Sequence, residues 1–243
     1  MTSLYGRRLV AAQALLAAPG HEPSQPPGIV LARHCVDISN YTTGLTRALL
    51  RVWATTHDVG LVIVQSLDKT RFPSSKTAEH LQQCADVGVE RDLYVYPFFA
   101  NGAGDCTRRL SEALATGVPI RRVWLDVEDV DPSQAAWTPS QRVNMVRQWL
   151  TECDAYPARL ASGIYTGRWY WASQKYMANS TAFSDRLLWD SNYDYVDNVN
   201  YNFTSYGGWT LADLAIKQYA GTSTLAGVGG VDLNVLSEAE RMA

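Results

Sequence analysis

No two of the four cysteines, at positions 35, 84, 106 and 153, stand in a Cys-x-x-Cys spacing, and no histidine pair accompanies them. That pattern argues against a metal site of the zinc type. Each cysteine falls within or beside a predicted strand or helix, where a small thiol packs well when buried. Four free thiols are therefore expected, with a single disulfide as the alternative. The chain also lacks any apolar stretch long enough to cross a bilayer. It has no dense Lys/Arg stripe, and its net charge of -3 with a pI near 5.8 gives nucleic acid no electrostatic footprint to bind. No internal repeat is visible, and no glycine-rich phosphate loop follows the first predicted strand, so no cofactor is expected. His34, His57 and His80 occur singly, without a Ser, Asp or Cys partner close in sequence, and read as structural or surface residues.

Aromatic residues, by contrast, are abundant: 8 Trp and 13 Tyr, many of them in the second half of the chain. Their faces can stack on the C–H-rich faces of sugars, although they serve equally as core. At 243 residues and 47% hydrophobic content the chain can bury one large core. Arg7-Arg8 followed by Leu9 to Ala18 has the look of a secretory signal, but Gln13 breaks the apolar run and no small-x-small cleavage site follows. An amphipathic helix is the preferred reading. Pro23, Pro26 and Pro27 then mark a linker. Residues 1–28 are thus expected to form an N-terminal extension, a helix plus a Pro-rich linker able to dock a partner, ahead of a domain spanning 29–243.

From Ile29 onward, short apolar runs alternate with helix-like segments. Strands are expected at Ile29–Ile38, Leu61–Val64, Leu93–Tyr96, Arg122–Val127, Leu160–Tyr165, Arg186–Trp189, Leu214–Tyr219 and Val231–Val235. Between the first six lie helical patterns, several closed by glycines such as Gly88 and Gly117. Ser191 to Thr210 is rich in Asn, Tyr and Gly and reads as loop. The order predicts an α/β fold, an irregular (β/α)8 TIM-type barrel whose last strands have reduced helices; an open doubly wound sheet is the alternative.

Chemistry in such a barrel belongs at the C-terminal ends of the strands. Polar residues gather at those ends: Asp37, Gln65, Asp126 with Glu128, Asp190 and Gln218, with Asp232 in the final strand. An unpaired buried carboxylate is costly, so acids converging on one rim point to a site. Side chains alternate along a strand, which puts Asp126 and Glu128 on the same side of Leu125-Asp126-Val127-Glu128. Two like charges this close raise the pKa of one of them, as suits a carboxyl that must deliver a proton to a leaving oxygen. The plainer reading is an acidic strand end paired with Arg121 or Arg122. Asp37 and Asp232 at other strand ends tip the balance toward a site.

Several segments, taken in order, resemble glycoside hydrolase family 25, the lysozymes called N-acetylmuramidases. They are Val36-Asp37-Ile38-Ser39, Tyr94-Val95-Tyr96-Pro97-Phe98, Leu125-Asp126-Val127-Glu128, Ser162-Gly163-Ile164-Tyr165-Thr166, Leu188-Trp189, Gln218-Tyr219 and Gly230-Val231-Asp232-Leu233-Asn234. The resemblance spans about residues 30 to 237. It implies cleavage of the β-1,4 bond between N-acetylmuramic acid and N-acetylglucosamine of bacterial cell-wall peptidoglycan. It also implies Glu128 as proton donor, with Asp126 stabilising the reacting centre or helping the substrate's N-acetyl group attack. Asp37 and Asp232 would line the catalytic end, and Tyr96, Tyr165 and Trp189, with Asp190 and Gln218, would shape the sugar subsites. The chain departs from the family pattern at Asp190-Ser191-Asn192, where a small apolar stretch is usual, and at Lys217, where Trp is common. Such an enzyme acts at the bacterial cell wall, whether secreted, phage-released or virion-associated. Two other readings stay open on sequence alone: a glycosidase acting on another N-acetylated glycan such as chitin, and a non-catalytic glycan-binding or structural barrel in a larger assembly.

Overall fold

The computed structural model describes residues 33–66, 75–96, 104–128, 135–156 and 160–241. The N-terminal extension expected at 1–28 lies outside them. Eight strands close into a barrel in chain order. They are β1 (His34–Thr43), β2 (Val59–Gln65), β3 (Glu90–Val95), β4 (Arg122–Asp126), β5 (Ala161–Thr166), β6 (Leu187–Ser191), β7 (Leu214–Leu225) and β8 (Val228–Leu236). The helices are α1 (Arg47–Thr56), α2 (Ser75–Val87), α3 (Gly104–Leu114), α4 (Pro139–Ala155) and the single turns α5 (Arg168–Trp171) and α6 (Glu238–Arg241). The irregular barrel expected from the sequence is therefore present, with one difference. Strands β1 to β7 run parallel, but β8 is antiparallel to both β7 and β1. Only a short Ala226-Gly227 turn separates β7 from β8, too few residues for a parallel crossover. Both strands extend well beyond the expected segments because they pair as a hairpin.

The helices form where sequence chemistry supports them. Thr46 caps α1 by accepting a hydrogen bond from the Leu49 N–H. At α4, Thr138 and Gln141 form a capping box with Pro139 in the first turn, while Val146, Trp149, Leu150 and Cys153 are buried. After β5 only α5 remains, a shorter element than the helix expected there. Among the described residues no helix joins β6 to β7.

Alternation along the strands sorts the side chains into two layers. Val36, Ile38, Leu93, Val95, Val123, Leu125 and Ile164 face outward onto the helices. Cys35, Leu61, Ile63, Trp124, Tyr165, Trp189 and Ile216 fill the barrel interior. Trp124 fits there because β5 carries Gly163 opposite it. A Cβ at Gly163 would lie 2.4 Å from Trp124 Cζ3 and 3.1 Å from the Leu187 carbonyl oxygen. At the N-terminal end Asp92 accepts from Trp124 Nε1 at 2.9 Å and from Arg121 Nε at 3.2 Å. Arg121 and Arg122 both reach Glu240 of α6 at 2.6 Å. The two arginines are thus spent closing the barrel floor, and neither of these ion pairs involves Asp126.

Where no helix covers β6 and β7, a buried lysine organises the chain. Lys217, on the outward face of β7, donates to Asp194 at 2.7 Å and to the carbonyls of Val196, Asn198 and Tyr201 at 3.1–3.2 Å. An ammonium with four acceptors substitutes for the missing helix by fastening irregular backbone to the sheet. Cys35, Cys84 and Cys153 are free and buried, as expected; the Cys106 side chain lies outside the described residues.

Two stability outcomes follow from this packing. Gly163→Ala should cost about 3 kcal/mol through overpacking and lower Tm by roughly 6–12 °C. Gly229→Ala, whose added carbon would meet only Thr43 Oγ1 at 3.6 Å, should leave the thermal transition almost unmoved. Lys217→Met strands Asp194 and three carbonyls, and should destabilise by about 3 kcal/mol in urea unfolding.

Candidate active site

Four carboxyl groups meet at the C-terminal end of the parallel strands. Asp37, Asp126, Glu128 and Asp232 line one pocket of about 80 Å³. Tyr94, Tyr165, Trp189, Tyr193 and Gln218 complete its wall. Of the residues expected from sequence, the structure brings together all four acids, Tyr165, Trp189 and Gln218.

Each acid reaches the pocket for a local reason. Asp37 follows Cys35 on the inward face of β1. Asp126 follows Trp124 on β4, and Glu128 stands one alternation beyond the strand's end. That extension is pinned to β5: the Val127 N–H donates to the Tyr165 carbonyl at 2.8 Å, and Thr166 Oγ1 donates to the Val127 carbonyl at 2.6 Å. Asp126 is buried at 6% exposure, whereas Glu128 is only partly buried, above it toward solvent. Asp232 is not at the C-terminal end of a parallel strand. It arrives on the descending β8, in direct register with Asp37 across the antiparallel pair.

Two amides hold Asp37 in place. Gln218 Nε2 and Asn234 Nδ2 each donate to Asp37 Oδ2 at 2.8 Å. The amide oxygens are occupied from below: Tyr165 Oη donates to Gln218 Oε1 at 2.7 Å, and Trp189 Nε1 donates to Asn234 Oδ1 at 2.8 Å. Trp189 in turn packs edge-on against Tyr165, Trp124 and Tyr94, with centroids 4.5, 5.8 and 6.3 Å away. Asp232 accepts from the Thr222 N–H at 2.5 Å and lies 3.4 Å from Gln218 Nε2.

Burial pushes the Asp37 carboxyl well above the usual carboxylate range, and the charge of Asp232 adds to the rise, against the lowering effect of its two amide donors. Burial raises Asp232 as well. The two titrate as a pair that retains a proton where free carboxylates have lost theirs. Burial and the surrounding acids also hold the Tyr94 and Tyr165 hydroxyls far above the ordinary phenol range. They stay neutral, and the Tyr165 proton is given to Gln218 Oε1.

Two expected residues lie elsewhere. Tyr96 sits just past β3, buried, and does not line this pocket; Tyr94, two residues earlier and inside the strand, does. Asp190 faces outward from β6 and lines an adjoining pocket of about 350 Å³. Its carboxyl is raised to about 6, first by burial, and it accepts a hydrogen bond from Tyr206 Oη at 2.6 Å. Tyr94, Tyr193 and Asn234 were not singled out from sequence. The alternation that selects Asp126 and Glu128 also selects Tyr94, and Asn234 stands two residues from Asp232 on the same face. Tyr193 carried no such signal, since it comes from an irregular loop. A larger cavity, about 670 Å³, lies at the opposite end beside α6 and touches none of these groups.

Among the described residues no group of His, Cys, Asp or Glu is arranged to hold a metal ion. The chemistry on offer is that of carboxyl groups and neutral hydrogen-bond donors around a small polar cavity. That suits proton transfer to a leaving oxygen beside a centre that gains positive charge.

Comparison with known proteins places this arrangement. The catalytic domain of the endolysin ply40 from bacteriophage P40 of Listeria monocytogenes superposes with a TM-score of 0.63 at 20% identity, covering 88% of this chain and 98% of that one. A muramidase from Acremonium alcalophilum gives 0.66 at 21% identity over 86% and 96% of the two chains. A family GH25 lysozyme from Aspergillus fumigatus gives 0.64 at 17% identity over 84% and 93%. No curated protein matches the chain by sequence. The family model described as Lysozyme-like protein 1 matches residues 32–219, more than three quarters of the chain. The chain therefore belongs to this lysozyme-like family, with the barrel of the glycoside hydrolase family 25 lysozymes.

Proposed function

We propose that this lysozyme-type glycoside hydrolase cleaves the β-1,4 bond between N-acetylmuramic acid and N-acetylglucosamine in peptidoglycan, acting at the bacterial cell wall. The observation that carries the reading is the convergence of Asp37, Asp126, Glu128 and Asp232 on one pocket floored by Tyr165 and Trp189. Family membership and the wall-lytic neighbours support the substrate class.

Glu128, only partly buried one alternation beyond Asp126, is the proton donor to the glycosidic oxygen. Asp126, deeper on the same strand face, orients the substrate's acetamido N–H and offsets the charge that develops on it. The acetamido oxygen then attacks the anomeric carbon as the glycosidic bond breaks. In the second half Glu128, now ionised, takes a proton from the water that opens this intermediate. Asp37 and Asp232 stand across the pocket, and their shared proton limits the negative charge packed around the reacting sugar. Tyr94, as a neutral hydroxyl, replaces part of the water that the pocket excludes, while Tyr165 gives its proton to Gln218 and so holds the amide that faces Asp37.

Glu128→Gln should lower the rate of turbidity loss and of reducing-end release from purified cell walls about a thousandfold, within the range of general acid catalysis. Equal rates for wild type and variant, or no turnover by either on several wall types, would sink the proposal. A pH effect is expected at Asp37. A carboxyl whose folded pKa is raised adds stability below its unfolded pKa and loses that contribution as pH rises through the folded value. Asp37→Asn keeps a neutral group there at every pH. The Tm difference, variant minus wild type, should thus grow more positive from pH 4 to pH 8 while activity falls; a difference independent of pH would contradict the assignment.

A further inference from the structure

Of the four acids in the pocket, Glu128 alone stands beyond the end of its strand. Asp37, Asp126 and Asp232 lie within β1, β4 and β8, where the ladder fixes the backbone that carries them. β4 ends at Asp126, whose register partner on β5 is Tyr165. One rung continues past that end: the Val127 N–H donates to the Tyr165 carbonyl at 2.8 Å. In a regular parallel ladder the next rung would run to the Val127 carbonyl from the N–H two residues beyond Tyr165, that of Gly167. β5 stops one residue short of it, at Thr166, and Gly167 is already the N-cap of α5.

Thr166 fills the place of that rung with its side chain. Its Oγ1 donates to the Val127 carbonyl at 2.6 Å, between two residues sealed from solvent. The Val127 carbonyl belongs to the same planar peptide group as the Glu128 N–H, so the hydroxyl fixes the plane from which the Glu128 side chain departs. The turn behind Thr166 is itself anchored, because the N–H groups of Tyr170 and Trp171 both donate to the Gly167 carbonyl at 3.0 Å. A β-branched side chain adds stiffness, since few χ1 rotamers are open to it.

We propose that Thr166 is a positioning residue for cleavage: its hydroxyl stands in for the missing ladder bond and holds Glu128 within reach of the glycosidic oxygen. The inference rests on the hydrolytic reading above, with Glu128 as the acid, and adds the group that aims it. Proton transfer needs the carboxyl within hydrogen-bond distance of the leaving oxygen. A misplacement of about 1 Å can cost on the order of a hundredfold in rate. Asp126 sits on the same strand face but inside the ladder, so its position does not depend on Thr166. The effect of the hydroxyl is therefore confined to the step that draws a proton from Glu128.

The test compares two leaving groups on one disaccharide of N-acetylglucosamine and N-acetylmuramic acid: a further sugar, which must be protonated as it departs, and dinitrophenolate, which leaves as a stable anion. The readout is kcat/KM, which reports the bond-breaking step. Thr166→Val keeps the shape and removes the hydroxyl; it should lower kcat/KM about tenfold for the sugar leaving group and less than about twofold for dinitrophenolate. Thr166→Ser, which retains the hydroxyl, should restore most of the loss. Thr166→Ala carries the same comparison should the valine variant not fold. A loss equal on both substrates, or one that serine does not restore, would mark a purely structural residue and overturn the proposal. Glu128→Gln is measured alongside. If it shows the leaving-group contrast and Thr166→Val does not, the hydrolytic reading stands and the role of Thr166 falls. If Glu128→Gln releases the sugar as fast as wild type, the acid assignment itself fails.

Discussion

The arrangement of the site depends on how one buried carboxylate is satisfied. Asp37 has two amide donors, Gln218 and Asn234, and each amide can point its N–H at Asp37 only because its oxygen is engaged from the other side. Tyr165 and Trp189 supply those engagements, and both belong to the barrel's packed interior. The network thus couples the position of a site carboxyl to the filling of the core. A shift of Trp189 would turn an amide and leave a buried acid with fewer donors, at a cost far larger than an ordinary surface rearrangement. Rigidity at the pocket floor is a consequence of hydrogen-bond accounting inside a close-packed barrel.

The last strand is where the barrel departs from a regular parallel plan, and the departure serves the site. A parallel β8 would present its C-terminal residues at the upper rim. The antiparallel strand instead enters from that rim and carries Asp232 and Asn234 downward, opposite Asp37. One acid then meets another across the sheet while an amide two residues on reaches the same carboxylate. The spacing of two in Asp232-x-Asn234 has a structural meaning that depends on strand direction.

On the outer side of β6 and β7 the fold uses polar contacts where helices cover the other strands. Lys217 and Asp190 are register partners on adjacent strands. Each fastens a different part of the 192–213 connection, Lys217 through Asp194 and three carbonyls, Asp190 through Tyr206. The irregular loop keeps its backbone groups satisfied and still presents Tyr193 to the cleavage pocket. Buried charge of this kind contributes little net stability compared with apolar packing, but removing either partner is costly.

Much of this was legible in the amino-acid sequence. Short apolar runs separated by helical periods pointed to a β/α barrel, with an open doubly wound sheet as the alternative until the strands were seen to close, and the period of two put Asp126 and Glu128 on one face with Trp124. The order of short motifs carried the resemblance to family 25, and the family match bears it out. Other features waited for the tertiary structure. Strand direction at β8 is decided by a tight hairpin and by sheet closure, neither of which hydrophobic pattern reports. Tyr94 rather than Tyr96 lines the pocket because β3 ends at Val95, and strand ends are set by neighbours in the sheet. Tyr193 enters the site through loop geometry held by a distant lysine. Sequence periodicity records which side a residue faces; only closure of the barrel decides which faces meet.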